Sequence, residues 1–329
     1  MKLRNDAIVT NEQNFEHLMH HDIAKLWESR DQGAFVGVDD VTIRWISVTD
    51  PMHHQAVILV TGRNETFWKY REVIYELHCQ GFDVYAHDHR GQGESGRLTS
   101  DPEVGYVRDF NDYVEDLHRF MVGVIEPKGY QHKFMLAHSM GGTIGALFLA
   151  KYGQNFTGAV LNAPMFGLHM NRLEKFILKP LAFLVNSLQR QPSYLLGKNA
   201  YRVKPFEKND QTQCELRYWW SKDIYVEYPK LKIGGASAHW VLQALKASKQ
   251  CLQQAESIQT PVLLLQAEQD TIVDNKAQQK FCAQNNLLKL HTIEEGYHEL
   301  FLEMDIVRES ALKQTLAFFN QWQPPLLVK

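Results

Sequence analysis

The chain of 329 residues lacks most of the features that mark specialised classes of protein. Its four cysteines, Cys79, Cys214, Cys251 and Cys282, are too few and too scattered for a disulfide framework, and no C-x-x-C pair suggests zinc. Reduced, buried thiols are the reading. Long hydrophobic runs are also missing. The longest uncharged stretch, Phe134 to Ala150, has 17 residues and contains His138, Ser139, Gly141 and Gly142. A membrane span needs ~20 mostly apolar residues, so this run reads as a buried strand leading into a helix. The first residues, Met1 to Phe15, have no apolar segment of the secretory type. The expected location is cytoplasmic, with attachment to a membrane surface left open. Charge of one sign is lacking too: 35 Lys+Arg against 38 Asp+Glu leave −3, which gives no sign of a nucleic-acid partner. There is no repeat and no proline-rich or serine-rich linker.

What is present is an ordinary globular mix, 44% hydrophobic and 22% charged, which excludes a disordered chain. Length alone suggests about two domains. An amphipathic helix is expected over Phe15–Ser29, then two short strands, Ala34–Val38 and Val41–Val48, joined by a turn at Asp39-Asp40. Six further strands are expected at Ala56–Val60, Asp83–His87, Lys133–Ala137, Thr157–Leu161, Val262–Gln266 and Leu288–Ile293. Helical spacing fills the gaps, as in Trp68–Gln80 and Phe110–Ile125. Short, continuously apolar strands alternating with helices indicate an α/β fold with a mostly parallel sheet covered on both faces.

One stretch breaks this rhythm. Residues 165–240 lose the strand–helix alternation and are rich in aromatics, among them Phe166, Tyr218, Trp219 and Trp220. They hold 12 Lys+Arg against 6 Asp+Glu, a net of +6, which leaves −9 on the rest of the chain. The expected organisation is a core made of 1–164 and 241–329, interrupted by an inserted cap over 165–240.

The sharpest chemical signal is Ala137-His138-Ser139-Met140-Gly141-Gly142. It joins an apolar strand to a helix, the setting in which a serine on a very tight turn becomes a nucleophile. Such a turn needs small residues two before and two after the serine, here Ala137 and Gly141. A serine hydroxyl needs a general base, and in folds with this turn the chain order is Ser, then Asp or Glu, then His. The late histidine in a loop after the final strand is His298. His291 lies inside a strand pattern, and His138 is beside the serine on the wrong side of the turn. The acid follows the preceding strand. Asp270 is placed just past the strand end, where its carboxylate would fix the imidazole tautomer; Asp274 and Glu268 compete with it. An oxyanion needs two backbone N–H donors, expected from Met140 and from Arg63 in Thr61-Gly62-Arg63-Asn64. The bland reading of Thr61-Gly62 is an ordinary turn.

These residues resemble the α/β-hydrolase superfamily, as does His87-Asp88-His89-Arg90-Gly91-Gln92-Gly93-Glu94-Ser95-Gly96, similar to that fold's D-x-R-G-x-G-x-S stretch. The turn His138 to Gly142 is similar to the H-S-M-G-G of monoacylglycerol lipases and lysophospholipases. Five segments look like bacterial lysophospholipases: Asp88–Gly93, Arg108–Val114, Ala137–Gly142, Ala163–Gly167 and Leu263–Glu268. Thr61-Gly62 stands where the family usually has His-Gly, and Ala137 replaces the first glycine of the elbow. Neither change removes a catalytic group, because the oxyanion donors are backbone. The resemblance implies an eight-stranded sheet with a helical cap, and hydrolysis of the fatty-acyl ester of a lysophospholipid through an acyl-serine. It also implies peripheral contact with the inner membrane, and no metal or organic cofactor. In the cap, Phe166, Trp219 and Trp220 are candidates to receive an acyl chain, and Lys/Arg to meet lipid phosphate; the alternative is that the tryptophans pack the cap's own core. The rival functions are a monoacylglycerol lipase, a broad carboxylesterase, or a non-catalytic binding protein on the same fold.

Overall fold

The structure, a computed structural model, describes residues 8–170, 172–189 and 191–322. The chain ends at 1–7 and 323–329, included in the expected core, lie outside the described residues. Eight strands form one sheet: β1 (Asp31–Val36), β2 (Thr42–Val48), β3 (Gln55–Val60), β4 (Asp83–His87), β5 (His132–His138), β6 (Gly158–Asn162), β7 (Val262–Ala267) and β8 (Leu288–Ile293). Their order is β1-β2-β4-β3-β5-β6-β7-β8. From β4 to β8 all neighbours are parallel, and β2 alone runs against both of its partners.

Alternation along the central strands sorts side chains onto the two faces. Ile58 and Val60 of β3, Met135 and Ala137 of β5 and Leu264 of β7 join one buried cluster, roofed by helices Asn111–Phe120, Met140–Tyr152 and Ala238–Gln254. Val57, Leu59, Phe134, Leu136, Leu263 and Leu265 join the other, covered by helices Arg71–Cys79 and Asp305–Asn320. Because both faces are dry, the strands carry no polar alternation, which is why they read as continuous apolar runs.

Two details differ from expectation. The N-terminal helix is two helices, Phe15–His20 and Asp22–Glu28, broken at His21, whose backbone leaves the helical region at φ −119° and ψ −83°. Strand β1 ends two residues early because the turn occupies Val38–Asp40, with Asp39 and Asp40 at φ 51° and 57°. Aspartate tolerates this left-handed backbone better than most residues.

Between β6 and β7 the chain leaves the sheet for helices Arg172–Leu188 and Glu215–Glu227, and returns through Ala238–Gln254. Ser237 caps that last helix by accepting from the Trp240 N–H. The two long helices meet through Leu178, Ala182 and Val185, while Phe183, Leu184 and Leu188 keep 66%, 56% and 75% of their surface exposed. Helix Glu215–Glu227 buries Tyr218, Ile224 and Tyr225 and is tied down by charge as well. Arg217, fully buried, forks onto both oxygens of Glu72, and donates to the Glu303 carbonyl and to Asp305.

Candidate active site

Ser139 lies at the junction of β5 and helix Met140–Tyr152, with φ 53° and ψ −116°. This is a strained backbone for a residue with a Cβ, and the surroundings enforce it. The Ser139 N–H donates to the Asn162 carbonyl of β6, and its own carbonyl accepts from Thr143 and Met165. The next turn has no room for side chains. A Cβ on Gly141 would stand 2.2 Å from the Val60 carbonyl oxygen and 2.5 Å from that of Thr61. On Gly142 it would meet Pro164 at 2.5 Å. Small residues therefore let the helix start press against the end of β3.

That contact brings the Thr61–Asn64 loop beside the helix N-terminus. The first intrahelical bond is from Thr143 N–H to the Ser139 carbonyl, so the Met140 N–H precedes the ladder, as helix geometry requires. In the loop, Gly62 N–H donates to Glu65 Oε2 at 2.5 Å and Asn64 N–H to Gln92 Oε1 at 3.3 Å. The Arg63 N–H between them has no acceptor among the described residues. The Arg63 side chain turns away from the serine. Its guanidinium donates to the Gly234 carbonyl at 2.7 Å and stacks over Trp240, where burial lowers its pKa to about 10.

The late histidine and aspartate complete a hydrogen-bonded series. His298 Nε2 is 2.8 Å from Ser139 Oγ, and His298 Nδ1 is 2.7 Å from Asp270 Oδ2. With Nδ1–H donating to the carboxylate, Nε2 is free to accept the serine proton. Asp270 Oδ1 accepts from the N–H groups of Ile272 and Val273 at 2.8 and 3.0 Å. Burial pushes this carboxyl up, but His298 and the two N–H groups outweigh it and hold it below the usual carboxylate range. Asp270 and His298 are buried, and Ser139 keeps partial access to solvent.

The competing acids are occupied elsewhere. Asp274 caps helix Asn275–Cys282 by accepting from the Lys276 N–H, and Glu268 Oε2 accepts from the Glu295 N–H. The cap candidates also have other contacts. Trp220 packs edge-on against Phe15 and His20, Trp219 donates to Glu215 and stands against Tyr218, and Phe166 is buried against Phe281.

A buried polar network behind the serine was not foreseen. Glu65 accepts from Gly62, Tyr70 and Lys69 and faces His138 Nδ1 at 3.2 Å. Lys69 also donates to Glu299 at 2.6 Å, and the other nitrogen of His138 faces the His298 carbonyl at 3.2 Å. Burial disfavours every charge here, yet the partners prevail: Lys69 and His138 hold Glu65 well below the usual carboxylate range, and Glu65 raises His138 above the usual imidazole range. One network thus fixes the loop that carries Arg63, the residue before Ser139 and the residue after His298. Its members are charged and distant in sequence, so spacing gave no signal beyond the Glu65/Lys69 pair four residues apart. The Asp88–Gly96 stretch shapes the neighbouring loop. Asp88 accepts from Thr66, Phe67 and Glu94, and Arg90 forks onto Asp116.

Comparison with known proteins agrees with this geometry. The hydrolase family model described as serine aminopeptidase, S33, matches residues 51–305. Lysophospholipase L2 of Escherichia coli K12 is 36% identical over 325 residues, covering 96% of this chain and 95% of that protein. Monoglyceride lipase of Rattus norvegicus is 28% identical and covers 82% of each chain. Among solved structures, a soluble variant of monoglyceride lipase from Saccharomyces cerevisiae superposes with a TM-score of 0.67 at 19% identity, over 89% of this chain and 96% of that one. At that identity the likeness speaks for the fold, which is the α/β-hydrolase fold.

Proposed function

Because the chain belongs to the S33 hydrolase family, we propose that it is a serine esterase that cleaves the fatty-acyl ester of lysophospholipids. The observation that carries the chemistry is the unbroken series Ser139–His298–Asp270. The substrate class rests on the Escherichia coli relative, whose similarity runs through core and cap alike.

In this reading Ser139 Oγ attacks the ester carbonyl carbon as His298 Nε2 takes its proton. Negative charge collects on the carbonyl oxygen, where the Met140 and Arg63 N–H groups donate to it. The carbon–oxygen bond to the glycerophospho-alcohol breaks, and His298 returns the proton to that leaving group. Water, deprotonated by the same imidazole, then cleaves the acyl-serine; an alcohol-bearing lipid arriving first takes the acyl group instead. Asp270 stays ionised throughout and stabilises the imidazolium.

Contact with an anionic membrane surface is part of the proposal. No helix among the described residues is long and apolar enough to cross a membrane. Helix Arg172–Leu188 does turn Phe183, Leu184 and Leu188 outward, within a segment of net charge +6. An exposed apolar face with surrounding cations suits shallow burial among lipid headgroups.

The test is a product assay on lysophosphatidylethanolamine, monoolein and a short p-nitrophenyl ester. Fastest release from the lysophospholipid is expected. Preference for monoolein would move the assignment to a monoacylglycerol lipase, and activity confined to the soluble ester would end the lipid reading. A fluorophosphonate probe should label the wild type and not Ser139→Ala; an unlabelled wild type would leave only a binding protein.

A further inference from the structure

The sheet has a second cluster of reactive side chains, at its opposite end and independent of the reading above. His53 precedes β3, His78 lies in the last turn of helix Arg71–Cys79, and Asp83 opens β4. Each offers one ligand atom, and the three atoms lie within 4.8 Å of one another. His53 Nδ1 and Asp83 Oδ1 are 3.1 Å apart, and the two imidazole rings meet edge to face at 4.8 Å. Parallel pairing sets Asp83 beside Ala56, and Gln55 beside His132, at the start of each strand. Ser139 lies past the far end of β5, about 20 Å away at strand rise.

We infer that His53, His78 and Asp83 form a binding site for a divalent metal ion of the zinc type. The ligand chemistry, two imidazoles and one carboxylate, suits zinc and its neighbours rather than calcium or magnesium, which prefer all-oxygen sets. A four-coordinate zinc with bonds of ~2.0–2.2 Å places neighbouring ligand atoms about 3.3 Å apart. The His53–Asp83 pair already has that spacing, and the His78 nitrogen, within 4.8 Å of both, would have to draw closer as an ion binds.

Two further observations point to a ligand. His78 Nδ1 is one of the buried side-chain nitrogens that have no hydrogen-bond partner among the described residues, so it is free to take a ligand. The Asp83 carboxylate is held in place from behind, by the Asp50 N–H on Oδ1 and by the Tyr130 hydroxyl on Oδ2. Outer contacts of this kind orient metal ligands. His53 and Tyr130 also line a cavity of about 420 Å³ shared with His54 and His132, which lies on the His53 side of the cluster. The ion would join the β2–β3 loop, the end of a helix and the start of β4. It has no part in ester cleavage.

The test is calorimetric titration of the EDTA-stripped, full-length protein with zinc chloride, repeated in competition with a chromogenic zinc indicator. One equivalent should bind in the micromolar range or tighter. His78→Ala and Asp83→Asn should each weaken binding about tenfold or more. Asp83→Asn keeps an acceptor for Asp50, and soluble-ester hydrolysis checks that each variant is folded. The double variant His17→Ala/His21→Ala removes a stacked surface pair 4.3 Å apart that would otherwise compete. It should bind as the wild type does. No binding by the wild type, unchanged binding by either His78→Ala or Asp83→Asn, or loss in the double variant would each overturn the inference.

Discussion

The surroundings of Ser139 and the helices Arg172–Leu188 and Glu215–Glu227, which lie between β6 and β7, are held by different forces. At the serine, the turn itself is set by backbone contacts, with strand carbonyls, helix N–H groups and glycines that admit no Cβ, and the dry Glu65–Lys69–Glu299–His138 network braces it from behind. Of the two helices, one is held by a buried guanidinium on Glu72 and Asp305, and the other by a single apolar stripe with its far side in solvent. The lesson is a division of labour. Bond-making needs sub-ångström placement and gets it from the sheet, whereas the proposed meeting with a lipid surface would need area and charge, which helix Arg172–Leu188 has to offer.

If that division is right, core substitutions should damage every substrate alike. Ser139→Ala should lower turnover on order of 10⁴-fold or more on both lysolipid and soluble ester. Asp270→Asn should be similarly severe, with Asp274→Asn within a few-fold, as steady-state kinetics would show. Glu65→Ala frees the Gly62 N–H and loosens the Arg63 loop. It should cost about 10²-fold in kcat with little change in KM, the size of effect seen when an oxyanion donor is misplaced. Arg217→Met should spare the chemistry and lower stability by about 3 kcal/mol, read from urea denaturation. Arg308, 3.2 Å from Glu72, keeps the loss from being larger.

The remaining two effects are smaller. Replacing Phe183, Leu184 and Leu188 together by serine should reduce activity on lysolipid vesicles by about tenfold, given ~1.5–3 kcal/mol for each fully buried apolar side chain and only shallow burial here. Soluble-ester activity should stay within about twofold, and equal loss on both would abolish the distinction between core and cap. The least effect concerns His138. Burial opposes its charge, but Glu65 raises its pKa, so its stabilisation is complete below about pH 6.5 and is lost as pH rises through the higher folded value. His138→Gln should therefore lose more stability, relative to wild type, at pH 6 than at pH 9. A gap that does not change with pH would show that the imidazole is neutral in the fold.

Much of this was legible in the sequence because it depends on local pattern. All eight strands appear within a few residues of their expected places, and the central ones, β3 to β7, were clearest because strands buried on both faces read as apolar runs. Ser139 stood out because its turn tolerates only small neighbours. Asp270 and Asp274 were harder to separate, because both follow β7 closely; what distinguishes them is the helix that begins at Asn275 and claims Asp274 as its cap. The Glu65–Lys69–Glu299–His138 network was invisible for a different reason. Charged residues read as surface until a fold brings partners such as Lys69 and Glu299, 230 positions apart, into one dry space. The aromatic count of residues 165–240 meets the same limit from the other side: composition leaves Trp220 open between an acyl-chain contact and internal packing, and only the fold shows that its ring meets Phe15 and His20.

The pairing of β6 with β7, in which Asn162 stands opposite Leu265, closes a loop of roughly 100 residues. Closing so long a loop is less costly than it looks, because the entropy grows only with the logarithm of length, about 0.6 kcal/mol for each doubling. Doubling the insertion, or halving it, would hardly change the free energy of joining the Ser139 half of the sheet to the Asp270 half. The β6–β7 connection is thus a socket, a point at which evolution or a protein engineer can exchange one cap for another and redirect a fixed nucleophile towards new esters.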